Sequence, residues 1–425
     1  MTEGLSIKAI LLTLTALLLA TIVLNIANGS LFTLIGVRLA HELTTGLVGL
    51  IASGHFVGLL AGSITATAII ARVGHIRAFT VFAAVAACAV LLMGLIFSVP
   101  SWFLFRFVIG YCMAGLFMVL ESWFNDRATN ETRGRMFAFY LIATSGAFAV
   151  GPWLINLGDP MKYGLFAMTA ILLNLCLLPI ALTRSGNPQV ARSGRLSLKA
   201  LFALSPLGVV GCFAAGLVNS AIYGLGAVYA DLIGADDAAV SAIFSALIVG
   251  GLVMQFPIGW ISDRFDRRNT LMALTLAASV ASALVIAFGT FSFTVLIVLM
   301  FVYGALAGPL YGLSVAQTND YVERDQFVAA SSGLLIVYSI GAIAGPNVAS
   351  WAMDLVGAWG LWIFVAASMI LLAVFTAYRK AKRAPLPVAE QTAYVPAVTE
   401  TKFSVELDPR SAAEGAQENV PDRDN

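Results

Sequence analysis

The sequence predicts an all-α membrane protein of twelve transmembrane helices, arranged as two pseudo-symmetric six-helix bundles. Three observations lead to this prediction. Hydrophobic residues make up 60% of the 425 residues and charged residues only 11%, whereas a soluble chain carries about 25% charged residues. Twelve apolar runs are long enough to cross a bilayer, which takes about 20 residues of helix. The two halves of the chain also repeat one another.

The twelve runs are continuous, whereas the strands of a membrane β-barrel form short alternating segments. Their glycines and prolines are common in membrane helices. The first run is longer than the apolar core of a signal peptide, about 7–15 residues, so we expect it to remain as the first helix. The expected spans are 6–29, 46–70, 78–98, 101–123, 135–157, 163–183, 204–230, 238–261, 269–290, 292–318, 327–350 and 357–378.

Lysine and arginine are distributed unevenly among the loops between these spans. If the N-terminus is placed inside, eighteen of the 24 lie on the inner side up to Arg383, and only Arg38 and Lys162 lie outside. Cytoplasmic loops carry such an excess of basic residues. Both termini are therefore expected to be cytoplasmic.

Two stretches are too polar to span a membrane. Residues 184–203 contain four basic residues and no acidic one, and they are predicted to be a cytoplasmic linker between the bundles 1–183 and 204–378. Residues 379–425 are rich in Pro, Glu and Asp. This composition predicts a disordered cytoplasmic tail.

The repeat becomes visible when the chain is shifted against itself by 194 residues. Chance alignment of apolar runs does not readily pair rare polar residues or Gly-Pro at one offset. The matches therefore indicate a six-plus-six duplication. The matched segments are FVIGYCMAG (107–115) with FVYGALAGP (301–309), Asn125-Asp126 with Asn319-Asp320, Gly151-Pro152 with Gly345-Pro346, and Asn25 with Asn219.

Three short motifs carry a resemblance to a known family. GWISDRFDRR (259–268) is similar to the G-x-x-x-D-R-x-(G/D)-R-R signature that follows the second helix of each half in the major facilitator superfamily. RFVIGYCMAG (106–115) resembles its fourth-helix motif, and GAFAVGP (146–152) resembles a shortened Gly-Pro motif of antiporters. Over residues 6–380 the chain is identified as a member of that superfamily. It most resembles the bacterial YcaD-like subfamily in four segments: RFVIGYCMAGLFMVLES (106–122), YGLGAVY (223–229), QFPIGWISDRFDRR (255–268) and YSIGAIAGP (338–346).

The resemblance implies secondary active transport of a small organic solute by alternating access, in the bacterial inner membrane. Proton-coupled export is favoured by GAFAVGP and Glu121, and uptake or facilitated uniport of a polar metabolite is the alternative. The expected partners are the solute, protons and the lipid bilayer, with the chain acting as a monomer. The net charge of +1 gives no reason to expect nucleic acid.

Enzyme signatures such as GxxxxGK[ST], HExxH and GxSxG do not occur in the sequence. These motifs carry phosphate binding, zinc ligation and nucleophilic catalysis. A membrane-embedded enzyme or receptor is therefore only a distant alternative. No cofactor and no metal is expected.

Arg106 is the strongest single candidate, because a charge within a span is rare and commonly functional. It shares one face of the fourth helix with Gly110, Met113, Phe117 and Glu121, which are spaced by three or four residues. We expect that face to line a cavity, where Arg106 binds an anionic group or controls the proton affinity of a neighbour. Glu121 is expected to carry a coupling proton. The alternatives are a structural arginine and a solvated carboxylate at the inner mouth.

The other candidates are polar side chains without a permanent charge. His55 lies midway along the second helix, where an imidazole is either a proton switch or a hydrogen-bonding group between helices. The remaining candidates offer hydrogen bonds to a polar solute, or else join neighbouring helices. They are Asn25, Asn28, Asn219, Tyr223, Tyr303, Tyr311 and Gln317.

A cytoplasmic gate is expected beside the motif at 259–268. The first-half copy has Ala71 where the aspartate belongs, so we expect Asp263 to pair across the bundle boundary with Arg133 or Arg135. Glycines and prolines of the gate helices are expected to allow close packing and bending. The gate candidates are Asp263, Arg264, Arg267, Arg268, Arg72, Arg77, Arg133, Arg135 and Asp325. The packing candidates are Gly110, Gly146, Gly151, Pro152, Gly345 and Pro346.

Overall fold

A computed structural model describes residues 7–129, 132–182, 196–323 and 326–396, and these residues form α-helices joined by turns and short 3-10 segments. The helices are α1 (Ile7–Glu42), α2 (Thr45–Val73), α3 (His75–Leu95), α4 (Val99–Arg127), α5 (Arg133–Val150), α6 (Tyr163–Leu175), α7 (Leu177–Ala181), α8 (Leu198–Leu204), α9 (Pro206–Leu232), α10 (Asp237–Arg264), α11 (Arg267–Phe288), α12 (Phe293–Ala307), α13 (Leu310–Asn319), α14 (Phe327–Val356) and α15 (Gly360–Lys382).

The helices pack as two bundles, and the same pairs recur in each. In the first bundle, α2 packs along α4, α1 along α5 and α3 along α6. In the second, the equivalent pairs are α10 with α12, α9 with α14 and α11 with α15. The predicted fold class, an all-α membrane protein of two pseudo-symmetric bundles, is confirmed.

The number of spans agrees with the sequence once one long segment is divided. Within the described residues, eleven apolar helical segments are long enough to cross a membrane, and the last of them covers Phe327–Lys382. That segment contains α14 and α15, which are separated at Gly357, where φ is +71°. A residue with a side chain rarely adopts this conformation, so the glycine allows the chain to reverse direction there.

Three helices differ from the expected spans. The first continues to Glu42, because Arg38 forms an ion pair of 2.7 Å with Glu42 one turn later and so supports a polar extension. The sixth span breaks between α6 and α7, where Pro179 supplies no backbone N–H. The tenth breaks between α12 and α13 at Gly308-Pro309 for the same reason.

The helix ends form two faces, which we call the basic side and the opposite side. The basic side carries the turns at 74 and 265–266, residues 128–129 and 132 between α4 and α5, and the residues after α13 and α15. The opposite side carries the turns at 43–44, 158–162 and 233–236. Acidic residues such as Asp159 and Asp236 lie on that side.

Glycines allow α2 and α4 to approach within van der Waals contact of each other's backbone. A Cβ at Gly110 would collide with the carbonyl oxygen of His55, and one at Gly58 with that of Phe107. The repeat places Gly304 in the position of Gly110, and a Cβ there would collide with the carbonyl of Leu247. The two bundles are thus built on the same close helix pair.

The predicted linker and tail need correction where the structure describes them. Residues 198–203 of the linker belong to α8, whose cap Ser197 accepts a hydrogen bond of 3.2 Å from the amide of Ala200. The arginines of 184–195 lie outside the described residues. The expectation of disorder from residue 379 onward is wrong for residues 379–396: α15 continues to Lys382, and the chain then packs on the basic side.

Candidate functional site

A cavity of about 200 Å³ lies between the two bundles. Its lining comes from α1, α2, α4 and α5 of the first bundle and from α9, α10 and α12–α14 of the second. Seven of the ten predicted solute and coupling candidates line it. They are Asn25, Asn28, His55, Asn219, Tyr223, Tyr303 and Tyr311.

Aromatic rings form much of the cavity wall. The Phe32 ring lies 6.0 Å from Phe148 and 6.1 Å from Tyr223, and Phe148 lies 5.7 Å from Tyr223, measured between centroids. Tyr311 and Tyr338 pair edge to face at 5.1 Å. Edge-to-face and tilted rings offer both faces and edges to a planar ligand.

Four buried polar atoms around the cavity have no hydrogen-bond partner among the described residues. They belong to four lining side chains: Asn28 (Oδ1), His55 (Nδ1), Thr144 (Oγ1) and Tyr303 (Oη). Buried polar groups are nearly always paired, and leaving one unpaired costs about 1–3 kcal/mol. These atoms are therefore available to a bound molecule or to water.

Arg106 does not line the cavity. Its guanidinium carbon lies 4.7 Å from the centre of the Phe32 ring, and the residue is 2% exposed. The Phe32 ring, itself part of the lining, also contacts His55 edge to face at 4.8 Å. Only part of the α4 face that was expected to line the cavity does so. Helices α1 and α2 cover Arg106 and Gly110, whereas Met113 and Phe117 lie in the cavity wall.

Glu121 and Gln317 are also absent from the lining. Glu121 is fully buried, and one of its carboxylate oxygens accepts a 2.9 Å hydrogen bond from the hydroxyl of Tyr140 on α5. The alternative, a solvated carboxylate at the inner mouth, is therefore wrong. Gln317 is buried near the basic-side end of α13, beyond the cavity.

Sequence reasoning missed several lining residues. Thr144, Ser145 and Gln255 are polar residues inside spans and line the cavity, so the rule applied to the asparagines would have found them. Phe32 and Phe148 line it as well. No sequence signal separates these two phenylalanines from those that face lipid.

Hydrogen bonds join the bundles on the opposite side. Ser245 donates to the carbonyl of Ala149 at 2.6 Å and accepts from the indole of Trp153 at 2.9 Å. Ser241 donates to the carbonyl of Pro152 at 2.9 Å and accepts a hydrogen bond of 2.8 Å from the side-chain amide of Asn156. This set, here called the serine clamp, connects α10 to the 3-10 segment Gly151–Leu157 and the end of α5.

The charges at the predicted gate pair differently from the expectation. Asp263 forms an ion pair of 3.0 Å with Arg267, which also reaches Asp320 at 2.8 Å. Arg268 pairs with Asp266 at 2.9 Å, and Arg264 lies 3.7 Å over the ring of Trp260. The pairing of Asp263 with Arg133 or Arg135 is not what the structure shows. The partners of Asp263 are Arg267, one turn later in the chain, and the amide of Tyr394.

The remaining gate candidates lie on the surface or outside the described part of the chain. Arg72, Arg77 and Arg135 are exposed on the basic side, and Arg133 is half-buried there. Asp325 is outside the described residues.

The packing candidates divide into three groups. Gly110, Gly151 and Gly345 lie where a Cβ would press on neighbouring backbone within their own bundle. Pro152 and Pro346 lie at the contact between bundles: Pro152 joins the serine clamp, and a Cβ at Gly49 would lie 2.6 Å from the carbonyl oxygen of Pro346. A Cβ at Gly146 would meet no atom within 4 Å, so the predicted packing role of this glycine is wrong in this conformation.

The family model of the Major Facilitator Superfamily matches residues 17–247 and 207–411. The chain belongs to the major facilitator superfamily. It is 29% identical over 385 residues to the uncharacterized MFS-type transporter YcaD of Escherichia fergusonii, and 28% identical to that of Shigella flexneri. Each match covers 90% of this chain and 98% of the relative. The resemblance found in the motifs is confirmed.

Solved transporters share the fold. The nucleoside transporter NupG superposes with a TM-score of 0.73 at 14% identity, covering 86% of this chain and 98% of that one. A bacterial homolog of the human lysosomal transporter Spinster, in an inward-facing and occupied conformation, gives 0.69 at 15% identity, covering 92% and 100%. As a member of this superfamily, the chain is a multi-pass membrane transporter of small molecules and not an enzyme.

Proposed function

We propose that this transporter moves a small, uncharged organic solute through the central cavity by alternating access, in the bacterial inner membrane with both termini cytoplasmic. The observation that carries the proposal is the cavity itself. Both bundles line it, and four of its buried polar atoms have no partner among the described residues. Substrate sites of this kind lie near the bilayer midplane between repeats.

The contacts between the bundles support a state that opens toward the basic side. The serine clamp closes the opposite side, and α1 approaches α9 there, where a Cβ at Gly36 would lie 2.7 Å from that of Ala227. The lining reaches toward the basic side as far as Phe117 and Gln255. With the basic side in the cytoplasm, as the lysine and arginine distribution favours, this state faces inward.

The charge of the solute follows from what surrounds the cavity. Among the described lining residues, none is Asp, Glu, Lys or Arg, and the nearby guanidinium of Arg106 is covered by Phe32. A charged ligand without a counter-charge would lose its hydration without compensation. A planar aromatic molecule with amide or hydroxyl edges suits the rings and the unpaired polar atoms.

Matched ligand pairs test this proposal. Benzamide and nicotinamide have the same rings as benzoate and nicotinate but no charge. In detergent we expect the amides to raise the melting temperature of the purified protein and the acids to leave it unchanged. In proteoliposomes, only the amides should exchange across the membrane. Stabilisation by the acids alone would overturn the assignment of an uncharged solute.

A tyrosine pair provides the matched control for the site. Tyr303 and Tyr229 both contact Trp362, at 5.2 Å and 5.8 Å between ring centroids, but only Tyr303 lines the cavity. Tyr303→Phe should weaken binding of the preferred amide about two- to tenfold, because a hydrogen bond is worth about 0.5–1.5 kcal/mol. Tyr229→Phe should leave binding unchanged. Equal effects of the two variants would contradict the site.

Proton-coupled export is our proposal for energy and direction. Glu121 supports the coupling, because it is a fully buried carboxylate in a span and is held by Tyr140 of the gate helix α5. Its protonation would change a contact between α4 and α5. The Gly-Pro motif at 146–152 favours export through the resemblance of this motif to that of antiporters.

The coupling is tested by transport with and without an imposed pH gradient. We expect the gradient to drive accumulation of the transported amide in wild-type proteoliposomes. Glu121→Gln should abolish this accumulation and retain solute exchange. Tyr140→Phe, which keeps the carboxylate but removes its contact with α5, should weaken the accumulation and also retain exchange. Gradient-insensitive transport by the wild type would exclude proton coupling.

Facilitated uniport is the second candidate. The observation that favours it is the cavity lining, in which no described residue is a carboxylate. Uniport predicts equilibration of the solute without accumulation under any gradient, so the same assay decides between the two.

A further inference from the structure

Residues 383–396 cross the basic side of the second bundle after α15 ends. The carbonyl of Arg383 accepts a 2.8 Å hydrogen bond from the guanidinium of Arg268. The guanidinium of Arg383 lies 4.0 Å over the ring of Tyr321. The chain then reaches the ends of α10 and α13, where Thr392 and Tyr394 are held. A segment expected to be disordered is therefore bound at several points.

The backbone of this segment is held by the charged cluster of the signature motif. Asp263 accepts the amide of Tyr394 at 2.8 and 3.0 Å, and Asp320 accepts both the amide and the hydroxyl of Thr392 at 2.9 Å. Arg267 donates to the carbonyl of Thr392 at 2.6 Å. Hydrogen bonds to charged groups are about twice as strong as neutral ones. These contacts make the cluster a peptide-binding groove.

The side chain of Tyr394 completes the docking. Its hydroxyl donates a 2.9 Å hydrogen bond to Gln255, and its ring lies over Gly259, where a Cβ would collide with the ring. Gly259 therefore provides the space that the ring occupies. Gln255 lines the cavity, so Tyr394 reaches the surface of the second bundle that faces the first.

We propose that residues 391–395 are a tethered wedge, which docks in the groove of Gly259, Asp263, Arg267 and Asp320 and holds the basic side open. When the basic side closes, the first bundle must cover this same surface, which a docked segment already occupies. Closure therefore requires undocking, which removes the hydrogen bonds that Asp320 and Asp263 accept from Thr392 and Tyr394. The docking rests on the contacts alone. Its effect on conformation rests on the proposed alternating access.

Disulfide formation tests the docking. In the full chain with its four cysteines replaced, Gly259→Cys and Tyr394→Cys should form an intramolecular disulfide under mild oxidation. The control pair is Gly259→Cys with Val388→Cys, since Val388 is an exposed residue of the same segment. We expect the first pair to react at least about tenfold faster, as high effective concentration requires. Equal rates would overturn the docking.

A second variant keeps the docking test valid if the cysteine at Gly259 disturbs folding. In the otherwise native chain, Tyr394→Ala should speed hydrogen–deuterium exchange of the amides of residues 391–395 about tenfold, while Val388→Ala should leave it unchanged. Unchanged exchange in Tyr394→Ala would contradict the docking.

The effect of the wedge on conformation is measured at the serine clamp, on the side of the protein opposite to the wedge. We expect the backbone amides of Gly151–Leu157, apart from Pro152, which has no amide hydrogen, to exchange faster when the serine clamp opens. The disulfide-locked wedge should slow this exchange about tenfold relative to the reduced protein, and Tyr394→Ala should accelerate it. A disulfide that forms without changing this exchange would show that the segment docks but is not a wedge. Neither readout needs a solute, so failure of the ligand and transport tests would leave both results interpretable.

Discussion

The guanidinium of Arg106 lies 4.7 Å from the centre of the Phe32 ring, and this ring separates it from the central cavity. Two of its nitrogens, Nε and Nη1, are buried without a partner among the described residues. An arginine over an aromatic face gains about 2 kcal/mol when it is desolvated. Phe32 thus both stabilises the cation and hides it from a solute.

This relationship predicts how the cavity responds to anions. Phe32→Ala should uncover the guanidinium and create benzoate binding, which we expect the wild-type protein to lack, with a gain of about tenfold or more in affinity, or about 1.4 kcal/mol. The double variant Phe32→Ala with Arg106→Met should lose that binding again. The measurement is the melting temperature in increasing benzoate. Benzoate binding by the double variant would show that Arg106 is not its source.

The serine clamp predicts a shift between conformations. The double variant Ser241→Ala with Ser245→Ala removes hydrogen bonds between the bundles, each worth about 0.5–1.5 kcal/mol, and so should favour opening of the opposite side. We expect amide exchange of Gly151–Leu157 to rise about tenfold. Ser282→Ala is the control, because that buried serine donates to the carbonyl of Ala278 in its own helix. An equal rise in the control would contradict the clamp.

Replacement by alanine should affect stability differently at Gly110 and at Gly146. Gly110→Ala should lower the free energy of unfolding by about 1–3 kcal/mol, because its Cβ would collide with the backbone of His55 and overpacking strains a close helix contact. Gly146→Ala meets no atom within 4 Å and should be neutral or slightly stabilising. Melting temperatures in detergent compare the two. Equal losses would contradict the described α2–α4 contact.

Asp266 predicts a pH-dependent stability. Its carboxylate caps α11 by accepting the amide of Arg268 at 3.0 Å. Burial raises the pKa of Asp266, but hydrogen bonds from the Arg268 side chain and amide, with the charges of Arg268 and Lys380, hold it below its ordinary value of 3.8. A carboxyl with a lowered folded-state pKa stabilises the protein above its ordinary pKa, and this stabilisation is lost as the pH falls through the folded-state value.

Asp266→Asn should therefore lower stability by about 1 kcal/mol at pH 7. The difference in melting temperature between this variant and the wild type should shrink below about pH 4. Asp263→Asn, measured in parallel, shows whether the loss of stability is specific to the cap of α11 or follows from any change in the neighbouring cluster of Asp263, Arg267 and Asp320. A difference that stays constant down to pH 3 would contradict the role of the ionised carboxylate.

Much of the site could be predicted from the sequence, because rare polar residues in an apolar span are visible without coordinates. Asn25 and Asn219 were matched by the repeat, and both line the same cavity. Arg106 was equally visible, yet whether it reaches the cavity depends on a ring 74 residues earlier in the chain. Helical spacing alone places Arg106 on the face that includes Met113 and Phe117, and only the packing of α1 and α2 divides that face.

The sequence by itself determined the fold class, the twelve spans, the duplication and the family. These follow from local composition and from motifs that hold regardless of how the helices meet. Only the tertiary structure decided the partners of charged groups: Asp263 pairs with Arg267 and the amide of Tyr394 rather than with Arg133 or Arg135. The physical reason is that a hydrogen bond depends on distances of about 3 Å, and contacts between residues 131 positions apart are set by packing, which no local pattern encodes.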